Sequence, residues 1–276
     1  MSSPLLIRPH AAASDGTALL VTPESAAWGY VGFELLQLSP GVSAERHTVA
    51  REVCVVVIAG TVDIASEHGD WRHIGGRPQP FAGLPHAVYL GPQTSFTLST
   101  TTGAEVGLCF APATHGTAAR VIPADAITPE TRGYGDMKRV IHPILMGQGD
   151  AESLLVAEVQ TPAGHWSSYP PHRHDRDTLP DESYLEETYY HRVDPGNGFV
   201  VQRIYDDDRT LDETLTVCDG QVVLVPRGYH PVGVPPGYRS YYLNVMAGPT
   251  RTWAFHNDPV HDWLMTPPML HTEGSH

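Results

Sequence analysis

Two histidines two residues apart, His172 and His174, lie in the chemically densest stretch of the chain, WSSYPPHRHDRDTLPDESYLEETYYH at residues 166–191. Alternate side chains of an extended chain share a face, so both imidazoles can address a single ion. Two adjacent carboxylates, Glu186 and Glu187, follow after a loop. Alternation puts Glu187, Tyr189 and His191 on one side of their strand and Glu186, Thr188 and Tyr190 on the other. A third imidazole, His230, stands far along the chain behind Pro226-Arg227-Gly228, and the Pro and Gly would fix the turn that aims it. Three imidazoles and one carboxylate suit Zn²⁺, Mn²⁺ or Fe²⁺ and leave positions open for a substrate. An isolated HxH is commoner in polar loops than in metal sites. The joint pattern of HxH, Glu before an aromatic strand, and Gly-x5-Pro-x-Gly-x-His carries the reading.

The elements that must position these groups are short β-type runs such as VCVVVI at 53–58, FVVQRIY at 199–205 and YYLNVM at 241–246, separated by turns like DPGNG and VPPG. Regular spacing of this kind predicts an all-β sandwich or barrel. Gly (26) and Pro (25) are both abundant, which suits many turns and few long helices. The chain also reads as two similar halves. ARE at 50–52 leads into one strand and LEE at 185–187 into another, and Leu84-Pro85-His86 loosely echoes Pro226 to His230. The segment 112–138 has few β runs and reads as a crossing between domains. This gives an N-terminal domain at 1–131, a metal-binding C-terminal domain at 132–265 and a tail at 266–276. The first half has no HxH. Glu45, His47, Glu52 and His86 there read as a remnant used for packing or dimer contacts. Trp166, Trp253 and Trp263 read as packing residues.

Charge and composition exclude several functions. The net charge is −14, and Lys138 is the only lysine among 17 basic residues. A nucleic-acid partner needs a basic face, and an anionic membrane surface would repel this chain, so neither is expected. No run approaches the ~18 apolar residues of a membrane span, and the first residues lack the apolar core of a secretory signal. Three scattered cysteines, Cys54, Cys109 and Cys218, argue against a disulfide framework. A cytoplasmic location follows as an expectation, with a homo-oligomer left open. No P-loop, GxSxG or GxGxxG occurs.

The paired motifs resemble those of the cupins, with one residue fewer before His230 and a longer loop after His174. WSSYPPHRHD, LEETYYHR, GFVVQRIYDDDRTLDET, DGQVVLVPRGYHPV and YYLNVMAGPTRTWAFHNDPVHDW are similar to the 5-deoxy-glucuronate isomerase family of inositol catabolism, densely so from about residue 132 to 263. The resemblance implies a bicupin, two jelly-roll β-barrels, with His172, His174, a Glu and His230 holding one divalent transition metal per chain. The Glu-x-Tyr spacing of a related uronate isomerase, together with alternation, selects Glu187 over Glu186. The implied activity is a metal-dependent aldose–ketose isomerisation of 5-deoxy-D-glucuronate to 5-dehydro-2-deoxy-D-gluconate, with a small acid sugar as partner.

Within that reading Glu187, Tyr189, Arg203 and Tyr242 are the catalytic candidates. Arg203 would clamp the uronate carboxylate, with Arg227 a second candidate. The two tyrosines would donate protons or hydrogen bonds, and Glu186, Tyr189 or His191 could move the proton between carbons. Two readings of other classes compete: an Fe²⁺-dependent cupin dioxygenase using the same ligands, and a non-catalytic sugar-binding bicupin.

Overall fold

A computed structural model describes residues 3–266 of the chain; of the expected tail only Thr266 is among them, and the rest lies outside the described residues. The chain is all-β as expected. The only α-helix among the described residues is the single turn Pro23–Ala26, held by a capping box in which the Thr22 hydroxyl accepts from the Ser25 amide.

Two large sheets dominate. The N-terminal half supplies a nine-stranded sheet in which Arg51–Ser66 is flanked by His86–Leu90 and Ala104–Pro112. This strand runs on past Gly60 to pair with Gly69–Gly75 and Ser95–Ser99. Gly60 makes the bend possible: its φ is +81°, and a Cβ there would lie 2.3 Å from the Gly103 carbonyl oxygen. The C-terminal half supplies a seven-stranded sheet with Glu186–Asp194 between Val222–Val225 and Arg239–Ala247, continuing through Leu155–Thr161 to Arg139–Leu145. A four-stranded sheet containing Phe199–Tyr205 and Asp212–Cys218 closes over it. Sheet membership changes between Arg120–Ile122, which pairs with His86–Leu90, and Glu130–Arg132, which pairs with Arg139–Leu145. The first strand departs from the expected division, because Leu6–Ile7 pairs with Val222 and Val223 of the C-terminal sheet.

The three larger apolar cores follow from strand alternation. Val53, Val55 and Val57 point into the N-terminal barrel with Leu98, Val106 and Leu108, and fill it. Cys54, Val56 and Ile58 point the other way, into a core shared with Tyr190, Leu243 and Val245 of the other half. A strand buried on both faces needs no polar alternation, which is why VCVVVI reads as an unbroken apolar run. The third core lies between the two C-terminal sheets and joins Ile141, Val159 and Tyr189 to Ile204, Val217 and Val232. Trp263 corrects the packing expectation: it is 71% exposed on the short helix Pro259–Met265, and Trp166 is 40% exposed.

Buried carboxylates lock the halves together reciprocally. Glu52 accepts the amides of Glu152, Ser153 and Leu154 at 2.9, 2.6 and 2.7 Å, just before strand Leu155–Thr161. Glu186 accepts those of Gly29, Tyr30 and Val31 at 2.7, 2.8 and 2.9 Å, just before Gly32–Leu38. Glu52 and Glu186 thus do the same job from the two strand starts that the sequence pairs as ARE and LEE. A third link is the buried pair of Arg77 with Glu158, whose Oε1 also accepts the Tyr241 hydroxyl at 2.7 Å. Burial alone would raise the Glu158 carboxyl, but the Arg77 charge and hydrogen bonds hold it below its ordinary range. A carboxyl lowered by folding stabilises the protein fully above the unfolded range and loses that contribution as pH falls through the folded value. Glu158→Gln should therefore cost about 3–5 kcal/mol at neutral pH, since Arg77 is left without a counter-charge. The loss should shrink in acid. Denaturant midpoints of both proteins from pH 7 downward measure this, and parallel pH profiles would remove Glu158 from the account.

Candidate metal centre and cavity

Strand Glu186–Asp194 presents its two faces as alternation requires. Glu186 reaches into the other half, and Glu187 turns into the C-terminal barrel. Register places Met246 opposite Glu187, Asn244 opposite Tyr189 and Tyr242 opposite His191. Tyr242, Asn244 and Met246 therefore line the same interior, along with Ala157 and Val159 of the next strand and Ile141 beyond it. Together they bound a cavity of about 290 Å³ that also touches His172, Ser168 and Arg139.

The two histidine-bearing loops are tied to each other. His172–Arg173 pairs with His256–Asn257, so Arg173 faces away from the cavity, where it bonds Glu182, Asp207 and, at 2.9 Å, the Tyr229 hydroxyl. Tyr229, the neighbour of His230, donates in turn to Asp207 at 2.8 Å. The carboxylate of Asp175, which follows His174, accepts the Gly228 amide at 2.7 Å. Gly228 has φ +85°, and a Cβ there would sit 2.4 Å from the Tyr205 carbonyl oxygen, so only glycine fits this turn.

These loops bring His174, Glu187 and His230 into one buried cluster that could hold a metal ion. The His174 Nε2 lies 2.9 Å and the His230 Nε2 3.1 Å from Glu187 Oε2, and Asn244 donates to Glu187 Oε1 at 2.5 Å. Both imidazoles face backbone carbonyls through Nδ1: His174 meets Leu185 O at 3.0 Å and His230 meets Gly228 O at 2.8 Å. A carbonyl oxygen only accepts, so Nδ1 carries the proton, and in the neutral ring Nε2 is a bare lone pair. Two such lone pairs and a carboxylate oxygen converge, and the fully buried His230 Nε2 makes no hydrogen bond. That geometry calls for a cation. The residues present fit a divalent metal.

His172 stands one step back. Its ring is 5.0 Å from that of His230, its Nδ1 is 3.3 Å from Pro170 O, and it falls outside the tight three-residue cluster. Burial pushes its basicity well down and favours the neutral ring a metal ligand needs. Glu187 is held well below the usual carboxylate range: burial opposes this, but positive charge on His230 and His174, which a bound cation would replace, outweighs it.

The remaining candidates divide. Tyr189 and Tyr242 line the cavity, and the Ser168 Oγ lies 3.1 Å and 3.5 Å from their hydroxyls. Burial pushes both phenols up, so they keep their protons. Arg203 is corrected: its side chain is 43% exposed and clamped to Asp212 by two 2.8 Å bonds outside the barrel. Arg227 is likewise half exposed and bound to Asp206 at 3.1 Å. Glu186 has its carboxylate committed to three amides, and His191 sits below the cavity with its Nε2 2.9 Å from Gln202. Neither is placed to move a substrate proton. In the N-terminal half, Glu52 bonds amides and the Tyr89 hydroxyl, and the His86 Nδ1 accepts the Gly75 amide. Sequence reading missed Asn244 and Arg139. Asn244 was accessible, being two residues from Tyr242 on one strand.

Comparison with known proteins matches this architecture. The model of the KduI/IolB family matches residues 5–264. A 5-deoxy-glucuronate isomerase of Geobacillus kaustophilus is 50% identical over 264 residues, covering 95% of this chain and 96% of the relative. That of Bacillus subtilis is 46% identical over 256 residues, 91% of this chain and 94% of the relative. The crystal structure of an IolB-like protein from Salmonella typhimurium superposes with a TM-score of 0.92 at 41% identity, covering 95% of this chain and 99% of the other. An oxalate decarboxylase from Lactobacillus farciminis shares the fold alone, with a TM-score of 0.66 at 13% identity over 97% of this chain and 92% of the other. No helix among the described residues is long and apolar enough to cross a membrane. With the family model spanning nearly the whole described chain, and relatives of this identity matching both halves, the chain belongs to the KduI/IolB family.

Proposed function

We propose that the chain is a 5-deoxy-glucuronate isomerase, an aldose–ketose isomerase whose metal centre is His172, His174, Glu187 and His230. The observation that carries this is the convergence of Nε2 lone pairs on Glu187 at the wall of a cavity, in a chain half identical to relatives of that name. We place the domain boundary where the sheet changes, between residues 122 and 130.

His172, His174, Glu187 and His230 would hold a divalent ion, whose chemistry when bound would be Lewis-acid polarisation of a carbonyl. The protein supplies the rest. Asn244 fixes one carboxylate oxygen of Glu187, leaving the other toward the imidazoles. Tyr189 and Tyr242, protonated and linked through Ser168, offer O–H donors to sugar oxygens that gain charge as hydrogen shifts between neighbouring carbons. Met246, Ala157, Val159 and Ile141 keep that wall apolar and water-poor, which strengthens each of these bonds.

An NMR assay with 5-deoxy-glucuronate tests the activity directly: the ketose product should appear, and its absence with metal-loaded protein ends the proposal. Elemental analysis tests the ligands. Glu187→Gln should lose bound metal and activity, whereas Glu186→Gln should keep its metal; the opposite pattern would reverse the assignment. Tyr189→Phe should lower kcat by roughly 10²-fold with little change in KM, the scale of one proton-transfer partner. An unchanged kcat would make Tyr189 a packing residue.

A further inference from the structure

The cavity holds a positive group that the metal centre does not use. Two arginines line it, Arg132 and Arg139. Arg132 is committed, with Nη2 2.7 Å and Nε 3.1 Å from Glu130 and its guanidinium 4.8 Å over the Trp253 ring. Arg139 is different. Among the described residues it makes no ion pair, although the chain carries nearly twice as many acids as bases. Its Nη1 donates to the carbonyls of Met137 and Tyr169, both at 3.1 Å, and its Nε and Nη2 make no hydrogen bond with the described residues.

That division of labour has a consequence in shape. Two backbone carbonyls hold one corner of the guanidinium plane and leave the Nε–Nη2 edge, two parallel N–H vectors, free. This edge matches a carboxylate in bidentate geometry, and an anchored fork loses little freedom on binding. Among the described residues the only carboxylate lining the cavity is Glu187, already flanked by two imidazoles. A half-buried arginine without a counter-ion therefore faces the space that a sugar must fill.

We propose that Arg139 is the carboxylate-recognition residue of the cavity: its free edge binds the acid group of a sugar acid and turns the carbonyl end toward Glu187 and the histidines. The direction of the bound sugar rests on the isomerase reading; the preference for an acid over a neutral sugar does not.

Calorimetric titration with D-glucuronate and with D-glucose, on metal-loaded protein, reads that preference without turnover. The wild type should bind glucuronate roughly 10- to 100-fold tighter, the range of a charge-assisted hydrogen-bonded contact. Arg139→Met should bring the ratio near one. Arg139→Lys keeps the charge without the fork and should fall between, and it serves if the Met variant fails to fold. A wild type with no preference, or a preference that survives in both variants, overturns the proposal. Parallel turnover of 5-deoxy-glucuronate separates the two claims. Normal turnover in Arg139→Met with the preference intact removes this site alone. A wild type that turns nothing over yet shows an Arg139-dependent preference removes the isomerase reading and leaves the carboxylate site standing.

Discussion

Two adjacent buried carboxylates facing opposite ways set the rest of this structure. Glu186 accepts three amides from the N-terminal half, and Glu187 stands among imidazoles inside the C-terminal barrel. A strand's side chains alternate with period two, so slipping its register by one residue would exchange the two groups. Glu186 would then face two histidines, and three amides of the other half would lose their acceptor. Either change leaves buried polar atoms unpaired at a cost of about 1–3 kcal/mol each. The contact between halves thus also fixes the position of Glu187. The N-terminal barrel needs no chemistry of its own to matter at the site. It holds the strand start that aims Glu187, and its own Glu52 returns the favour at the entrance to Leu155–Thr161, whose Ala157 and Val159 line the cavity.

The same economy governs the imidazoles. Each of the three rings has its Nδ1 near a backbone carbonyl, which fixes both the tautomer and the direction of Nε2. The carbonyls belong to residues within the loops and strand start that carry the ligands, and those loops are joined by Asp175 on Gly228 and by Arg173 on Tyr229. Several acids of these loops are therefore structural: Asp175, Glu182 and Asp207 hold the loops that present His174 and His230. Their charges are satisfied locally, by arginine or by an amide, and do not add to the field at the site.

What the sequence made legible follows this division between local and long-range causes. The all-β class, the two-fold repeat and the face shared by Glu187 and Tyr189 come from periodicity, a local property. His172, His174 and His230 were legible because their spacing and the Pro-x-Gly turn are local too. Arg203 was misread because alternation says which residues share a face but not whether that face meets the cavity or solvent; Asp212, across the neighbouring strand, captures it at the surface. Arg139 escaped for the converse reason. It lies at the start of Arg139–Leu145, near the sheet edge, and only the carbonyls of Met137 and Tyr169, brought in by folding, fix its direction. The pairing of Glu186 with Gly29, Tyr30 and Val31 spans more than half the chain, and no local pattern reports it.

The acidity of the chain sharpens the question of how an anion would enter. A net charge of −14 suggests repulsion, yet exposed charges are screened beyond about 8 Å at physiological ionic strength. Much of the acidic surface is also neutralised in pairs, as in Arg203 with Asp212, Arg227 with Asp206 and Arg239 with Asp194. Inside the cavity the balance reverses. The one carboxylate, Glu187, would share its charge with a cation held beside His174 and His230, and an arginine with an uncommitted edge faces the same apolar-walled space, where screening is weak. Charge at the site thus depends on which cavity-lining arginine is captured by an acid, as Arg132 is by Glu130, and which is not. Arg139 is held by carbonyls alone, which fix its position without cancelling its charge.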